Sequence, residues 1–382
     1  MRTPCSVRIA LLLSVLIAGA TWALPRPASA QADRVAQYLR DLSSEDASLR
    51  RNAVRQLAQI AAWELVEPLM PLLADPDESV RSETRDALEQ IGEDAVVALL
   101  AGLGADDATM RAGCADVIGR LNYLDDERFQ RGLLPLVKDE SADVRREACA
   151  ALGRVGDIAA SGTLKEALAD PEPQVQTAAA TALAKLGDGS GFQVLLKGTV
   201  SADPTLRGQV IEPLSLIATP AAFQAIRDLT ADADRDVRGA AYYALLGSGA
   251  PEAIQAALEG LKDPAWQVRS HLAHIAGVLQ VSAAADALLD LLTHDSSPTV
   301  RACAAMALAN LKDQRAVPAL LELLTSKSEM ERSGGASALG LLRVKEAAKP
   351  LTDLLEDESP EVRRAARLAL LQILEECPDC PK

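Results

Sequence analysis

The side chains able to do chemistry are few and scattered: three histidines and six cysteines in 382 residues. His271 and His274 stand three apart, which places both on one helical face, close enough to share a ligand. No other His or Cys lies near them in sequence to complete a tetrahedral set, so no metal is assigned. The sharpest local motif is Cys377-Pro378-Asp379-Cys380. Pro381 where a His would follow excludes haem attachment. The pair reads as a local disulfide closing the C-terminal end in an oxidising compartment. Half of a zinc knuckle and a redox dithiol are the alternatives, the one lacking its second half and the other its strand-and-helix context. Cys114, Cys149 and Cys303 sit among small residues and read as buried fillers. There is no Gly-rich phosphate loop, no G-x-S-x-G elbow and no H-E-x-x-H. Without a base nearby, Ser and Asp read as turn and cap residues, and no catalytic residue or cofactor is expected.

The elements that carry these residues are helical. Hydrophobic residues make up 49% of the chain but aromatics only 3%, so the apolar fraction is mostly Ala and Leu, which favour helix. The formal charge of −15 argues against a nucleic-acid backbone as ligand, because phosphate binding needs a basic surface. Residues 1–30 stand apart. Arg2 and Arg8 precede the apolar run Ile9 to Leu24, and Ala28-Ser29-Ala30 offers a small-x-small cleavage site. The run is short for a membrane-spanning helix, which needs about 20 residues. A cleaved export signal is expected, with the mature chain in the periplasm or outside the cell. Loss of Arg2, Arg8 and Arg26 takes the charge from −15 to −18.

From residue 31 to 376 one landmark recurs eleven times: an apolar residue (Glu331 in the tenth unit excepted), then Arg, then an Ala-rich stretch. The Arg column runs 50, 81, 111, 145, 176, 207, 238, 269, 301, 332 and 363, with Gln176 its one substitution. Positions −1, +3, +7 and +10 from the Arg are apolar, as in Val144, Ala148, Leu152 and Val155, and fall on one face of a helix. An earlier periodic stretch, such as Val317 to Leu324, supplies a first helix, so each unit is a helical hairpin. An Asp at −6 (Asp75, Asp139, Asp170, Asp232, Asp263, Asp295, Asp357) sits in the turn, often before Pro, which stops the first helix. Gly92, Gly156 and Gly187 follow the second helix, where a left-handed cap is easiest. The 34-residue step from Arg111 to Arg145 predicts a longer turn near Asp125-Asp126-Glu127. The tail, 377–382, lies beyond the array.

The pattern D-x-x-x-x-V-R-x-x-A-x-x-A-L-x-x-L-G resembles HEAT repeats in their short bacterial form, also found in phycobilisome lyase subunits. The resemblance implies an all-α, right-handed superhelical solenoid of about eleven hairpins, with the second helices lining the concave side. It also implies that Asp and Arg form a structural ladder between neighbouring turns, through Asp75, Arg81, Asp139, Arg145, Asp232, Arg238, Asp263, Arg269, Asp295, Arg301, Asp357 and Arg363. HEAT-fold hydroxylases hold iron with His-Glu pairs, and this chain has none. The bilin lyases act in the cytoplasm, whereas this chain begins with an export signal; a lyase-like enzyme or enzyme subunit is the alternative function.

Helical geometry puts +1, +5 and +8 opposite the buried stripe, facing the groove. In units seven to nine the +5 column reads Tyr243, His274, Met306, beside Leu246 at +8 and the neighbour Tyr242. Exposed aromatic and Met side chains anchor peptides. The expectation is a non-catalytic, exported scaffold or adaptor that binds a protein or peptide through Tyr242, Tyr243, Leu246, His274 and Met306. The acidic residues of earlier units would steer a basic partner, and no nucleic acid or stable membrane insertion is expected. The competing reading buries these side chains between repeats.

Overall fold

The computed structural model describes residues 28–122 and 126–374, and every regular element among them is helical. The first described helix, Ala28–Asp41, holds the expected cleavage point in its first turn. The apolar run of the leader and the Cys377 and Cys380 pair lie outside the described residues, as do residues 123–125 of the longer turn. Asp126, just after that gap, caps the helix Glu127–Leu133. The chain divides into two compact units, Met1–Leu195 and Leu196–Lys382.

In the first unit the second helices of the hairpins are α1 (Ala47–Ala58), α2 (Glu78–Ile91), α3 (Ala108–Arg120), α4 (Ala142–Val155) and α5 (Pro173–Lys185). Each is short, and its own propensity would not hold it in water. Burial of a stripe does so, through Val80, Thr84, Ala87, Leu88 and Ile91 in α2. Asp46, Asp77 and Asp107 cap α1, α2 and α3 by accepting from backbone N–H groups of the first turn. First helices break into a short α stretch and a 3₁₀ turn where Pro71 and Pro135 remove a donor, as in Met70–Ala74 and Leu134–Lys138.

In the second unit the sixth repeat departs from the expected single second helix. It splits into α6 (Pro204–Gln209) and α7 (Ile211–Ile217). Pro213 has no N–H for the Gln209 carbonyl and its ring crowds that carbonyl, so the backbone cannot run straight through Val210. The remaining second helices are α8 (Arg235–Gly247), α9 (Trp266–Val278), α10 (Pro298–Asn310), α11 (Glu329–Leu341) and α12 (Pro360–Leu374).

Within each unit the repeats meet through a seam of small residues. A Cβ added at Gly119 would lie 2.8 Å from the Ala151 Cα, and one at Gly153 2.6 Å from the Ala182 Cα. A Cβ added at Gly277 would lie 2.5 Å from the Ala307 Cα, and one at Gly340 2.6 Å from the Ala369 Cα. All four glycines occupy +8 and all four alanines +6 of the following repeat. Backbones this close leave room for no larger side chain.

The Arg column clasps the turns. Arg50 donates to Asp75 through Nε and Nη2, both at 2.7 Å, while its Nη1 donates to the Ser44 and Glu45 carbonyls. Arg111 with Asp139 and Arg145 with Asp170 repeat the fork in the first unit. In the second, Arg207, Arg238, Arg269 and Arg332 hold Asp232, Asp263, Asp295 and Asp357. Each Arg therefore reaches the Asp of the next repeat and the carbonyls of its own turn. Three rungs differ because the next repeat lacks the Asp, one of them at Gln176, where the next repeat has Ser201 and the amide donates to the Asp170 carbonyl of its own turn at 2.6 Å. Ala105 leaves Arg81 to pair with Glu78, and Ser326 leaves Arg301 to pair with Glu331. Arg363, in the last repeat, donates to the Asp357 and Glu358 carbonyls.

Position +11 carries positive φ in nearly every repeat, whatever its residue. Gly92, Gly156, Gly187 and Gly249 adopt it, and so do Ala61, Ala218, Gln280, Lys312 and Arg343. The chain must reverse there to start the next hairpin, and non-Gly residues bear a steric cost of about 1–2 kcal/mol.

Candidate functional site

Second helices that pack on their own first helix and on two neighbours keep only a narrow outward face. Columns +3, +4, +6, +7 and +8 are largely buried, and +2, +5 and +9 form that face. Contacts fix its register: in the first unit Arg55 at +5 bonds Glu83 at +2 of the next repeat at 2.6 Å, and Asp86 at +5 accepts from Arg120 at +9 at 2.7 Å. In the second, Tyr243 at +5 lies beside His271 at +2, ring centroids 6.2 Å apart and tilted by 51°.

This register corrects two of the expected contact residues. Leu246 is 3% exposed because +8 belongs to the small-residue seam, and Tyr242 is 8% exposed because +4 is a core column. Tyr242 spends its hydroxyl on the Thr230 carbonyl at 3.4 Å. Tyr243 is 51% exposed, His274 is exposed and Met306 is half-buried, so these three share the outward face. Sequence reasoning missed Leu216, Val278 and Leu341 at +9 and did not single out Leu368 at +5; all four are exposed. The first three were legible as apolar residues four places from the +5 column, and Leu368 as an apolar residue within it.

The same face in the first unit is charged. Asp116 at +5 is buried and accepts from Arg120 at 2.9 Å and Arg154 at 2.9 Å. Burial pushes its carboxyl up, but the Arg120 and Arg154 guanidiniums hold it below the usual carboxylate range. Burial pushes Glu147 up, against the lowering effect of Arg146 at 2.8 Å and of Arg154 and Arg85. Around these groups a cleft of about 480 Å³ opens between α2, α3 and α4. Residues 31–195 carry 17 basic and 29 acidic side chains, a net −12, against 19 and 25, a net −6, in 196–382.

Cys114 and Cys149 are buried, and burial pushes both thiols up to about 12, too high for a thiolate nucleophile at neutral pH. Cys303 is shifted the same way by burial. Among the described residues no group of three or more His, Cys, Asp or Glu side chains is placed to hold a metal, and no helix is long and apolar enough to cross a membrane.

A repeating helical hairpin with an Arg–Asp ladder and a residual outward face defines an all-α solenoid. The chain belongs to the HEAT-repeat family, whose model matches residues 32–119, 130–201, 192–276 and 254–339. Among solved structures it is similar to importin beta, at 15% identity over 91% of this chain and 56% of that one, TM-score 0.52. It is also similar to Kap95p in a structure with RanGDP, at 12% identity over 97% of this chain and 56% of that one, TM-score 0.52. The chain thus spans about half the length of these two karyopherins. The CpcE and CpcF complex of phycocyanin lyase from Nostoc sp. PCC7120 matches at 21% identity over 65% of this chain and 93% of that one, TM-score 0.40. Identities this low establish the fold and no more. No curated protein sequence matches the chain.

Proposed function

We propose that this HEAT-repeat protein is an exported, non-catalytic scaffold or adaptor that holds a protein partner along the outward face of its second helices. The observation that carries the reading is the run of exposed apolar side chains on one face of the second unit: Leu216, Tyr243, Val278, Leu341 and Leu368. Solvent-exposed apolar residues scattered singly need no explanation, but residues aligned in two columns of one face form a patch of the kind that marks interfaces. Rigid Tyr243 beside His271, with adaptable Met306 two repeats on, suits an anchor for an apolar segment. Among the described residues the Cys114 and Cys149 thiols are buried and pushed up, and so offer no activated nucleophile, which supports a non-catalytic role. The small-x-small site at Ala28-Ser29-Ala30 supports export of the mature chain from Gln31.

The test is crosslinking in intact host cells of the tagged full chain and of a Tyr243→Ala, Val278→Ser, Leu341→Ser variant, with reciprocal capture through the identified partner. A partner recovered both ways and lost from the variant, with the melting curve unchanged, supports the adaptor. A bound pigment in the purified protein, with no partner recovered either way, would overturn it in favour of the lyase-like alternative. N-terminal sequencing of the mature protein tests export separately, with Gln31 the expected start.

A further inference from the structure

The outward face of the second unit has an order that an apolar patch does not require. Each repeat from the sixth to the eleventh places one large apolar side chain in the +5 or +9 row, and the row alternates. The series runs Leu216 at +9, Tyr243 at +5, Val278 at +9, Met306 at +5, Leu341 at +9 and Leu368 at +5. Met306 is half-buried and the other five are exposed. Four residues along a helix put the two rows about 6 Å apart, and neighbouring packed helices stand about 8–10 Å apart. Charge supplies a second regularity. In repeats seven to eleven the fifteen positions at +2, +5 and +9 hold no Asp, Glu, Lys or Arg, whereas the same fifteen positions of repeats one to five hold eight, from Arg55 to Lys185. In a chain that is 24% charged, a strip of this length without one is a property of the face.

The two spacings select the conformation of a ligand that touches every repeat. An α-helix advances about 10.5 Å in seven residues, and residues i and i+7 share one stripe, so a bound helix asks for a single row of anchors. Polyproline II returns to the same side every third residue and asks for a single row as well. A β-extended chain advances about 10 Å in three residues, but its residues i and i+3 point to opposite sides. Lying between the rows, it reaches +9 and +5 in turn. A charged side chain would lose hydration on this face with no counter-charge to meet it. We propose that the outward face of repeats six to eleven binds a β-extended, uncharged segment of a protein partner that carries an apolar residue at every third position. The assignment rests on the adaptor reading and names the conformation and chemistry of the segment that reading requires. A chain laid flat also turns backbone N–H and C=O groups to the face, and Asn310, Ser337 and Gln372 stand in the row not filled by an apolar anchor, where their side chains can answer them.

The test uses the full chain and fluorescent, acetylated and amidated peptides of Leu, Thr and Gln, about sixteen residues long so that anchors at three-residue spacing span the six repeats. Anisotropy should show that Leu at every third position binds about tenfold or more tighter than the same residues reordered to put Leu on one helical face. Lys or Glu at two of the spacer positions should weaken binding about tenfold, whichever the sign. Ser337→Leu combined with Leu341→Ser moves the anchor of the tenth repeat from +9 to +5 without changing its apolar content. It should weaken the three-residue-period peptide about tenfold, as much as Leu341→Ser alone, with the melting temperature unchanged because both positions face outward. Benzoylphenylalanine at successive Leu positions of the peptide should crosslink to the +9 and +5 rows of the wild type in turn, a readout that needs no variant to fold. Equal or tighter binding of the helical-face peptide, no binding of any peptide, crosslinks confined to one row, or full binding by the moved-anchor variant overturns the assignment. A partner crosslinked in cells by the wild type and the moved-anchor variant alike also overturns it and leaves the adaptor standing. The expected peptide selectivity with no partner recovered from cells fails the adaptor and leaves the ligand class of the face standing.

Discussion

The repeats of residues 31–195 and those of 196–382 share one interior and differ in what they turn outward. Inward, both use the same Leu column at +7, the same Gly-on-Ala seams and the same forked Arg–Asp rungs. Outward, the first presents Arg55, Asp86 and Arg154, ion-paired with Glu83, Arg120 and Asp116 of neighbouring repeats, while the second presents Tyr243, Val278, Leu341 and Leu368. Side chains that fix neighbouring repeats to each other are thus separable from side chains free to meet a partner. The charged side chains pair with one another across repeats, whereas the exposed apolar ones have nothing in the described chain to cover them.

The shared interior predicts the largest effects, and predicts them equally on both sides. Asp263→Ala leaves the Arg238 fork buried without its carboxylate, and breaking a buried pair costs about 3–5 kcal/mol. Asp139→Ala, in the first unit, should cost about as much by the same loss at Arg111. Chemical denaturation of the two variants measures both, and a much smaller loss at one would mean that the rungs are not equivalent. Gly277→Ala belongs in the same class, because its Cβ would meet the Ala307 backbone at 2.5 Å. By contrast Arg55→Ala, whose pair with Glu83 lies on the surface, should leave the denaturation midpoint within error.

The outward difference predicts the next effect. Tyr243→Ala should weaken partner binding by about 2 kcal/mol, roughly thirtyfold, if Tyr243 is an interface anchor. The melting temperature should hardly move, since the ring is half in solvent and its neighbour Tyr242, not Tyr243, fills the core. A fall in stability with binding intact would return Tyr243 to the core reading.

Much of this organisation is legible in the sequence because the repeat reports it many times over. An Arg that performs one task in each turn recurs at fixed spacing, and so does the Asp that answers it. Exceptions are legible only once the partner is known: Arg81 and Arg301 look like their neighbours, and it is Ala105 and Ser326, a repeat further on, that redirect them. The left-handed turn at +11 shows itself where Gly fills it and is silent at Ala61, Ala218, Gln280, Lys312 and Arg343. The outward face was misplaced by one residue in two of its columns, because a helix packed on three sides buries more of its circumference than one buried stripe implies. Leu246 and Tyr242 fall on the wrong side of that line. The break at Val210 was written in Pro213, which a strict 31-residue column passes over.

Acidity tests the comparison through two opposite shifts. Burial works against Asp263, but Arg238 and the Ala265 N–H hold its carboxyl below the ordinary value of about 3.9. Asp139 is held down likewise against its burial by Arg111 and the Ser141 N–H. A carboxyl lowered in the folded state gives stability that is full above its unfolded pKa and lost as pH falls through the folded one. Both units should therefore lose stability below about pH 4. Glu147 has the opposite sign, since burial raises it: its ionisation disfavours the folded state, so Glu147→Gln should gain stability at pH 7 and none at low pH. Denaturation midpoints of the wild type and this variant between pH 3 and 7 measure the difference, and parallel curves would mean that burial does not raise Glu147.

The smallest expected effect concerns the turns that the two units have in common. Ala61 and Ala218 hold φ of 47° and 53°, a conformation in which a Cβ crowds the following carbonyl. Ala61→Gly and Ala218→Gly remove that crowding but give the unfolded chain more freedom, so the net gain should be modest, about 0.5–1 kcal/mol each. Ala218 follows the interrupted sixth repeat, whereas Ala61 follows an unbroken helix. If both substitutions raise the midpoint equally, the left-handed turn is a property of the hairpin alone. A gain at Ala61 with none at Ala218 would mean that the Pro213 break has already relieved the turn behind it, and that the sixth repeat differs from the others in mechanics as well as in outline.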